Sequence, residues 1–339
     1  MWLQWVYVKL FETIMYADFY HLKAMPFQLT PDCHFFFDSQ EHKRAFAHLV
    51  YGLAQEEGFI IITGEIGAGK TMLVERLWSQ LDTQKFLGVR ISTTNVSGDD
   101  LLKLLASSLG LPAEPADKAT LLRRLEQCFI RTTSAGKRCL LVIDEVQNLP
   151  FAALEELRML SNMTVHGGRA PFQCLLLGQP QFRQMLADPK LEQLEQRVLA
   201  SYHVGPLNAQ DTKGYVQHRL TTAGWSGDPS FEDGAFVALH RHSSGIPRKI
   251  NTLCSRALLS GYLEETHVIT EALMTDIAQE LQQDLSTGGA EAVRPVVTAT
   301  NLEQTIDARL GSLEHTVKRH ERAIKSTLQI TAQLIEGGI

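Results

Sequence analysis

The stretch Gly64-Glu65-Ile66-Gly67-Ala68-Gly69-Lys70-Thr71 decides the fold of this chain. It follows the apolar run at 59–62 and precedes the helical pattern at 72–77, so the motif G-x-x-x-x-G-K-[ST] stands between a strand and a helix. Its glycines let backbone N–H groups approach phosphate oxygens closely, and the helix N-terminus adds the positive end of its dipole. The sequence therefore predicts a phosphate-binding loop over residues 64–71.

Two side chains at the end of this motif predict a nucleotide bound together with a metal ion. Lys70 is expected to neutralise charge on the β- and γ-phosphates, and the Thr71 hydroxyl is expected to contact Mg²⁺. The expected nucleotide-binding residues are Gly64, Glu65, Ile66, Gly67, Ala68, Gly69, Lys70, Thr71 and Met72.

A pair of carboxylates follows a second buried strand. Asp144 and Glu145 come directly after the aliphatic residues 140–143. We expect Asp144 to complete the Mg²⁺ site, on a strand that neighbours the loop strand, and Glu145 to act as the general base that polarises the attacking water. The alternative is a pair of surface charges at a strand end. The phosphate loop upstream favours the catalytic interpretation.

Three further polar residues fit a hydrolase that works between subunits. Gln179 follows the strand-like run at 175–178 and is expected to orient water near the γ-phosphate. Arg197 is a candidate arginine finger for a neighbouring subunit, a device worth roughly 10³–10⁵ in rate. Arg248 opens a helix and is expected to contact the γ-phosphate and report its loss. The alternatives are an ordinary surface arginine at 197 and a helix-start charge at 248.

The composition is that of an ordinary folded protein. The 339 residues predict two or three domains, and a hydrophobic fraction of 44% can fill their cores. The net charge of −6 supplies no global basic field for nucleic acid or an anionic membrane. The five cysteines are scattered without a C-x-x-C pair, which is typical of a reducing compartment and argues against disulfides or a zinc site. No apolar run reaches about 18 residues, so no membrane span is predicted.

The order of the predicted elements indicates an α/β fold. β-type runs alternate with helical periodicity, which predicts a parallel sheet with helices on both faces. From residue 209 to about 285 only helical stretches follow, near 209–223, 230–242, 247–262 and 270–285. The predicted β-type runs are 59–63, 86–92, 139–143, 172–177 and 202–204.

These patterns predict five divisions of the chain. They are an N-terminal extension (1–14), a nucleotide-binding domain (15–208), a small all-helical lid domain (209–285), a linker (286–300) and an amphipathic, coiled-coil-like tail (301–339). For residues 1–14 we favour an extension from an upstream start over an interfacial or partner-binding segment. For the tail, a coiled coil or partner helix and a merely solvated helix both stay open.

Together these residues resemble the AAA+ ATPases of the general secretion pathway protein A type, over about residues 15–285. Within that type, the chain most resembles the branch associated with exosortase and exopolysaccharide loci of Gram-negative bacteria. Besides the phosphate loop, the likeness is carried by Met15-Tyr16-x-x-Phe19-Tyr20, Pro26-Phe27-x-Leu29-Thr30-Pro31-Asp32, Phe35-Phe36-Phe37-x-Ser39-x-x-His42, Gly58-Phe59, Asp144-Glu145-x-Gln147-Asn148-Leu149, Leu154-Glu155-Glu156-Leu157-Arg158-x-Leu160-Ser161-Asn162, Leu177-Gly178-Gln179-Pro180 and Gly245-Ile246-Pro247-Arg248-x-Ile250-Asn251.

The resemblance implies a five-stranded P-loop domain of the AAA+ class with a helical lid. It also implies ATP and Mg²⁺ as ligands, conversion of ATP and water to ADP and phosphate, and a homo-oligomeric ring or filament with ATP at the subunit junctions. By the same likeness Asp144-Glu145 is the Walker B pair, Gln179 the sensor-1 residue, Arg197 the finger and Arg248 the sensor-2 arginine. The implied location is the cytoplasm, at most peripheral at the inner membrane.

The chain departs from the family in one respect, and three functions remain open. Members that act on secretin assembly carry a membrane span and a periplasmic peptidoglycan-binding domain, whereas here we expect the soluble branch. The first hypothesis is an ATPase that drives or switches assembly of an envelope export apparatus for polysaccharide or protein. The alternative is an ATP-dependent, DNA-binding regulator of transposition type, which requires a basic lumen. A third is a nucleotide-gated scaffold whose tail recruits the partner.

Overall fold

A parallel five-stranded sheet lies at the centre of the computed structural model, which describes residues 16–92, 97–114, 117–163 and 170–287. The strands run in the order β2-β3-β4-β1-β5, and each neighbouring pair is parallel. The strands are β1 (Phe59–Gly64), β2 (Phe86–Ser92), β3 (Arg138–Asp144), β4 (Gln173–Gly178) and β5 (Val198–Val204). The predicted parallel α/β sheet is confirmed, although β5 begins earlier than the predicted run at 202–204.

The three inner strands are rich in Ile, Leu and Val because helices cover both faces of the sheet. β1 and β4 are buried at every residue, and β3 is buried at all but its first. Since side chains alternate along a strand, Phe59 and Ile61 pack into one core and Ile60 and Ile62 pack into the other.

Two sets of helices close these two cores. One core is completed by α1 and α2, and the other mainly by α3, α4 and α5. The helices around the sheet are α1 (Gln40–Ala54), α2 (Lys70–Gln80), α3 (Gly98–Ser108), α4 (Lys118–Ser134), α5 (Phe151–Ser161), α6 (Pro180–Leu186), α7 (Glu192–Glu195) and α8 (Ala209–Thr222). Helix α4 was not predicted, although Leu121, Leu125 and Phe129 mark its buried face at regular spacing.

The described residues group into two compact units. The larger comprises Phe27–Thr222 and Ser243–Thr252, and the smaller comprises 16–26, 223–242 and 253–287. The later helices, close to their predicted positions, are α9 (Asp233–Ser243), α10 (Pro247–Leu263) and α11 (Glu271–Thr287). The predicted domain boundary between 208 and 209 stays a prediction.

The smaller unit contains one feature that the sequence did not predict. Strands β6 (Ser230–Phe231) and β7 (Val268–Ile269) form a short parallel pair, where helices alone were expected. The fully buried Tyr20 donates its hydroxyl to the carbonyl oxygen of Thr266 over 3.0 Å, and the Phe19 ring stacks on His267 at 4.7 Å. These contacts join the start of the described chain to the segment before β7.

Several predictions concern residues beyond the described ranges. The N-terminal extension (1–14) and the tail (301–339) lie outside them, and of the linker (286–300) only the last two residues of α11 lie inside. Within the described ranges, every helix is too short or too polar to cross a membrane.

Candidate functional site

The phosphate-loop motif connects β1 to α2 at the carboxyl edge of the sheet. Gly67 and Gly69 have φ values of 83° and 93°, in the left-handed region that favours glycine. A Cβ atom on Gly67 would lie 2.2 Å from the Cβ of Arg248, and one on Gly69 would lie 2.5 Å from Nε2 of His42. Both positions therefore require glycine for backbone conformation and for space. The predicted strand–loop–helix context is confirmed.

Lys70 begins α2 and is buried, with 6% of its surface exposed. Its Nζ donates to the carbonyl oxygens of Gly64 over 2.8 Å and Glu65 over 3.0 Å. Burial lowers the pKa of Lys70, and the negative charges of Glu145, Asp144 and Glu65 act against that shift. The ammonium group is thus held at the loop and surrounded by compensating carboxylates.

The Asp144 carboxylate at the end of β3 meets the Thr71 hydroxyl. Thr71 Oγ1 lies 3.5 Å from Asp144 Oδ2, at the outer limit of a hydrogen bond. Arg90 on β2 also donates to Asp144 Oδ2 over 3.1 Å, and its other terminal nitrogen donates to Glu75 over 2.5 Å. The guanidinium therefore fixes the Asp144 side chain from the β2 side.

Asp144 was predicted to lie on the strand next to the loop strand, and this prediction was wrong. β4 lies between β1 and β3. Asp144 still meets Thr71 because the carboxyl ends of all five parallel strands share one edge. Gln179, directly after the intervening strand β4, lies beside Glu145.

Glu145 is held by two amide side chains. Gln147 Nε2 donates to Glu145 Oε2 over 2.5 Å, and Gln179 Nε2 donates to the same oxygen over 3.0 Å. Gln147 Oε1 also accepts from the Gln179 backbone N–H over 3.0 Å, so the three residues form a closed set. Burial by itself raises the pKa of Glu145, but hydrogen bonds from Gln179 and Gln147 and the charge of Lys70 outweigh it and lower the pKa. The carboxylate is ionised at neutral pH.

A cavity of about 290 Å³ opens beside the loop, entirely within the larger unit. Its remaining walls come from residues 28–32, from α8 and from the start of α10. Tyr215 donates to Asn251 Oδ1 over 2.8 Å, while Arg219 and Asn251 both donate to the Gln28 carbonyl, over 3.5 and 3.3 Å. This polar network fixes the wall segment at 28–32 against α8 and α10.

The two predicted arginines lie in different places. Arg248 lines the cavity, and its backbone N–H donates to the Gly67 carbonyl over 3.2 Å. Arg197 precedes β5 at the opposite, amino edge of the sheet, where it donates to the backbone and hydroxyl oxygens of Ser161 over 3.3 and 3.1 Å. The structure therefore brings Arg248 to Lys70, Thr71 and the acidic pair, and it does not bring Arg197 there.

A larger cavity, of about 550 Å³, lies at the amino edge of the strands. The basic side chains Arg138 and Lys137 that line it donate hydrogen bonds to backbone carbonyls of the chain. Arg138 donates to the Leu53 carbonyl over 2.6 Å, and Lys137 donates to the Thr83 carbonyl over 3.1 Å. It contains neither the phosphate loop nor the acidic pair, so its greater volume does not make it the candidate site.

Several residues of the site were assigned no role from their sequence positions. Gln147, Ser39 and His42 stood only inside motifs that carried the resemblance, and Arg90 and Arg219 were not singled out. An amide side chain soon after a strand end is a usable signal for Gln147, whereas Arg90 lies inside β2. Arg219 shows no such signal, because its position depends on α8 packing near the loop.

Comparison with known proteins agrees with this geometry. Residues 53–186 match the family model described as "AAA domain", which spans the phosphate loop, the acidic pair and Gln179. This part of the chain is similar to AAA domains. General secretion pathway protein A of Aeromonas hydrophila is 37% identical over 268 residues, which are 79% of this chain and 48% of that protein. The chain thus spans about half the length of that curated relative.

Solved structures similar to the chain share the fold of the AAA domain at low sequence identity. The Aeropyrum pernix ORC2 protein in its ADPNP-ADP complexes has a TM-score of 0.54 at 15% identity, covering 71% of this chain and 67% of that one. Cdc6p from Pyrobaculum aerophilum has a TM-score of 0.55 at 15% identity, covering 71% and 68%. Together with the family-model match, these structures show a P-loop fold of the AAA+ class with its five-stranded parallel sheet.

Proposed function

We propose that the chain binds and hydrolyses ATP with Mg²⁺. The observation that carries the proposal is the convergence of Lys70, Thr71, Asp144 and Glu145 on one edge of the sheet, beside a glycine-formed cavity. Side chains from the start of α2 and from the end of β3 meet there. A structural role alone would not bring a buried lysine and two carboxylates to the same glycine-rich turn.

The residues present fit a triphosphate with a divalent cation. Gly67 and Gly69 let the loop backbone pass close to Arg248 and His42, and Lys70 and Arg248 supply positive charge to the cavity beside the loop. Thr71 and Asp144 would hold Mg²⁺, since a hydroxyl and a carboxylate are the oxygen ligands it prefers. When bound, the ion neutralises charge on the phosphate oxygens. The chain's own part is to orient the phosphates through the loop N–H groups and Lys70.

Glu145 is the general base in this proposal. Its ionised carboxylate takes the proton of a water whose oxygen bonds to the γ-phosphorus, while the bond from that phosphorus to the bridging oxygen breaks. Gln147 and Gln179 hold the accepting oxygen in place through their amide N–H groups. The same two bonds keep the carboxylate charged, so the base is ready at neutral pH.

Phosphate release by the purified protein tests this chemistry. Glu145→Gln is expected to bind ATP but to lose roughly 10²–10⁴ in rate, the usual contribution of general base catalysis. Lys70→Ala is expected to lose both binding and rate. Glu57→Gln, an acidic side chain on the far edge of the sheet, serves as the matched control and should behave as wild type. Wild-type turnover in Glu145→Gln would reject the proposal.

We further propose that the chain assembles so that Arg197 acts on a neighbouring subunit. The support is its position at the amino edge of the sheet, remote from its own phosphate loop. Mixing Arg197→Ala protein with Glu145→Gln protein tests this, because a mixed junction combines an intact finger with an intact base. Activity above that of either variant alone is expected. A mixture as inactive as its parts would contradict a finger working between subunits.

The cellular role that we propose is to energise or switch an envelope export system, from the cytoplasmic side. The likeness to general secretion pathway protein A supports export in general. The exosortase and exopolysaccharide branch rests on the sequence resemblance alone. A deletion strain complemented with wild type or with Glu145→Gln tests the role. Export restored equally by both would contradict it.

The DNA-binding alternative stays a prediction, and titration with DNA at low salt, with and without ATP, would decide it.

A further inference from the structure

His42 lies directly behind the phosphate loop. It is on α1 and has 5% of its surface exposed, and its Nε2 atom is 3.1 Å from the Ala68 carbonyl oxygen. It does not line the cavity, but it occupies the space that a side chain on Gly69 would need. The imidazole therefore contacts the loop from outside the cavity that is the proposed phosphate site.

The hydrogen bonds of the ring assign its tautomer. A carbonyl oxygen can only accept, so Nε2 carries the hydrogen and donates it to Ala68. Nδ1 then accepts, and its partner is the Ser39 hydroxyl at 2.7 Å. Ser39, with 1% exposure, also caps α1 by accepting from the His42 backbone N–H over 3.2 Å. Both ring nitrogens are thus satisfied in the neutral form.

The surroundings of His42 keep it neutral. Burial lowers its pKa, against the opposing effects of the bond to Ala68 and of the charges on Asp38, Glu41 and Asp211. The Phe36 ring covers it edge-on at 5.7 Å. A buried, neutral imidazole that is hydrogen-bonded through both ring nitrogens has one orientation available. It therefore holds the Ala68 carbonyl in a fixed direction.

We infer that Ser39 and His42 form a positioning pair that turns one loop amide toward the phosphate. In a planar trans peptide the C=O and the next N–H point in opposite directions. The Ala68–Gly69 bond is trans, and its carbonyl points to His42, so the Gly69 N–H points away from His42. Gly69 lines the cavity, and His42 does not. The pair therefore sets the direction of an anion-binding N–H without touching the anion.

This inference rests on the proposed nucleotide binding and gives a specific role to part of the Ser39-x-x-His42 motif. The loop by itself could rotate the Ala68–Gly69 peptide, because glycine accepts most backbone conformations. A fixed acceptor direction removes that freedom before the nucleotide arrives. Preorganisation of this kind improves binding by reducing the ordering that binding must impose.

Three substitutions at one position separate the donor from the packing. In His42→Gln the amide nitrogen is the same number of bonds from Cα as Nε2 and can reach Ala68. In His42→Asn the amide nitrogen matches Nδ1, so it can reach Ser39 but not Ala68. His42→Ala removes both. His48→Ala, an exposed histidine on the same helix, is the matched control.

Titration of Mg-ATP into each variant, after a thermal melt confirms folding, tests the inference. His42→Ala and His42→Asn are expected to raise Kd about tenfold, the effect of one misdirected hydrogen bond to a charged group. His42→Gln should stay within about threefold of wild type, and His48→Ala should match it. KM for ATP is expected to rise with Kd while kcat stays within about twofold, since the interaction is made equally in ground and transition states.

The possible failures can be told apart. Equal Kd values for His42→Asn and His42→Gln, or wild-type Kd in His42→Ala, would overturn the positioning role alone. A wild-type protein whose response to Mg-ATP is no different from that of Lys70→Ala would overturn the proposed function as well. If His42→Ala does not fold, Ser39→Ala replaces it. That variant keeps the ring but frees Nδ1, and an unchanged Kd there would also count against the pair.

Discussion

Gln147→Ala tests how the chain holds its proposed general base. In the wild type, Gln147 donates to Glu145 Oε2 over 2.5 Å and accepts from the Gln179 N–H over 3.0 Å. Alanine removes both bonds, and the bond to the ionised carboxylate is worth about 1.5–3 kcal/mol. If that energy is lost in the transition state, kcat falls roughly ten- to a hundredfold.

The same substitution should also change the pH dependence of the reaction. Removing a donor raises the pKa of Glu145, because the hydrogen bonds from Gln179 and Gln147 and the charge of Lys70 are what outweigh burial there. A general base acts only in its ionised form. The acid limb of the kcat profile should therefore move to higher pH, while the affinity for ATP stays unchanged.

Steady-state phosphate release, measured from acid to neutral pH, is the assay for Gln147→Ala. Asn148→Ala is the matched control, because it removes an exposed amide from the adjacent residue and should leave kcat as it is. The reasoning is refuted if Gln147→Ala and Asn148→Ala have the same kcat and the same acid limb. It is also refuted if weaker ATP binding accounts for the whole loss.

Two further predictions concern the loop and the histidine behind it. Gly67→Ala should weaken ATP binding far more than Gly136→Ala. The new Cβ at position 67 would lie 2.2 Å from the Cβ of Arg248, whereas a Cβ at position 136 would have no described atom within 4 Å outside its chain neighbours. Both glycines have positive φ, so titration of the two variants separates the clash from the backbone strain. His42 should lower the stability of the folded protein in mild acid. Its folded pKa is lowered, so the free energy of unfolding falls as the pH drops below the ordinary value of 6.5 toward the folded value. Urea unfolding across pH measures this, and an identical pH dependence in His42→Gln would contradict it.

The parts of the fold that depend on local patterns were predictable from the sequence. The phosphate loop lies within eight consecutive residues, and the buried strand before Asp144 is a continuous aliphatic run, so neither needs knowledge of the tertiary structure. Arg248 was predicted to contact the γ-phosphate; it lies beside the loop, and the contact itself stays a prediction.

The parts that depend on strand order were not predictable in the same way. The placement of β4 between β1 and β3 makes Gln179 a neighbour of Glu145, and spacing along the chain does not reveal it. The contact of His42 with Ala68 requires α1 to pack behind the loop, although 26 residues separate the two along the chain. Helix α4 is a different case, because its buried leucines had a regular spacing that could have been recognised.

The most direct test of the central claim is calorimetric titration of ATP into wild type and Lys70→Ala, each with and without Mg²⁺. The structure holds the buried Lys70 and the Thr71–Asp144 pair at one glycine-rich turn. Wild type is expected to show saturable binding that Mg²⁺ strengthens, and Lys70→Ala to bind at least about tenfold more weakly, the effect of losing hydrogen bonds to a charged group. Affinity that is indifferent to Mg²⁺ and unchanged in Lys70→Ala would contradict the account.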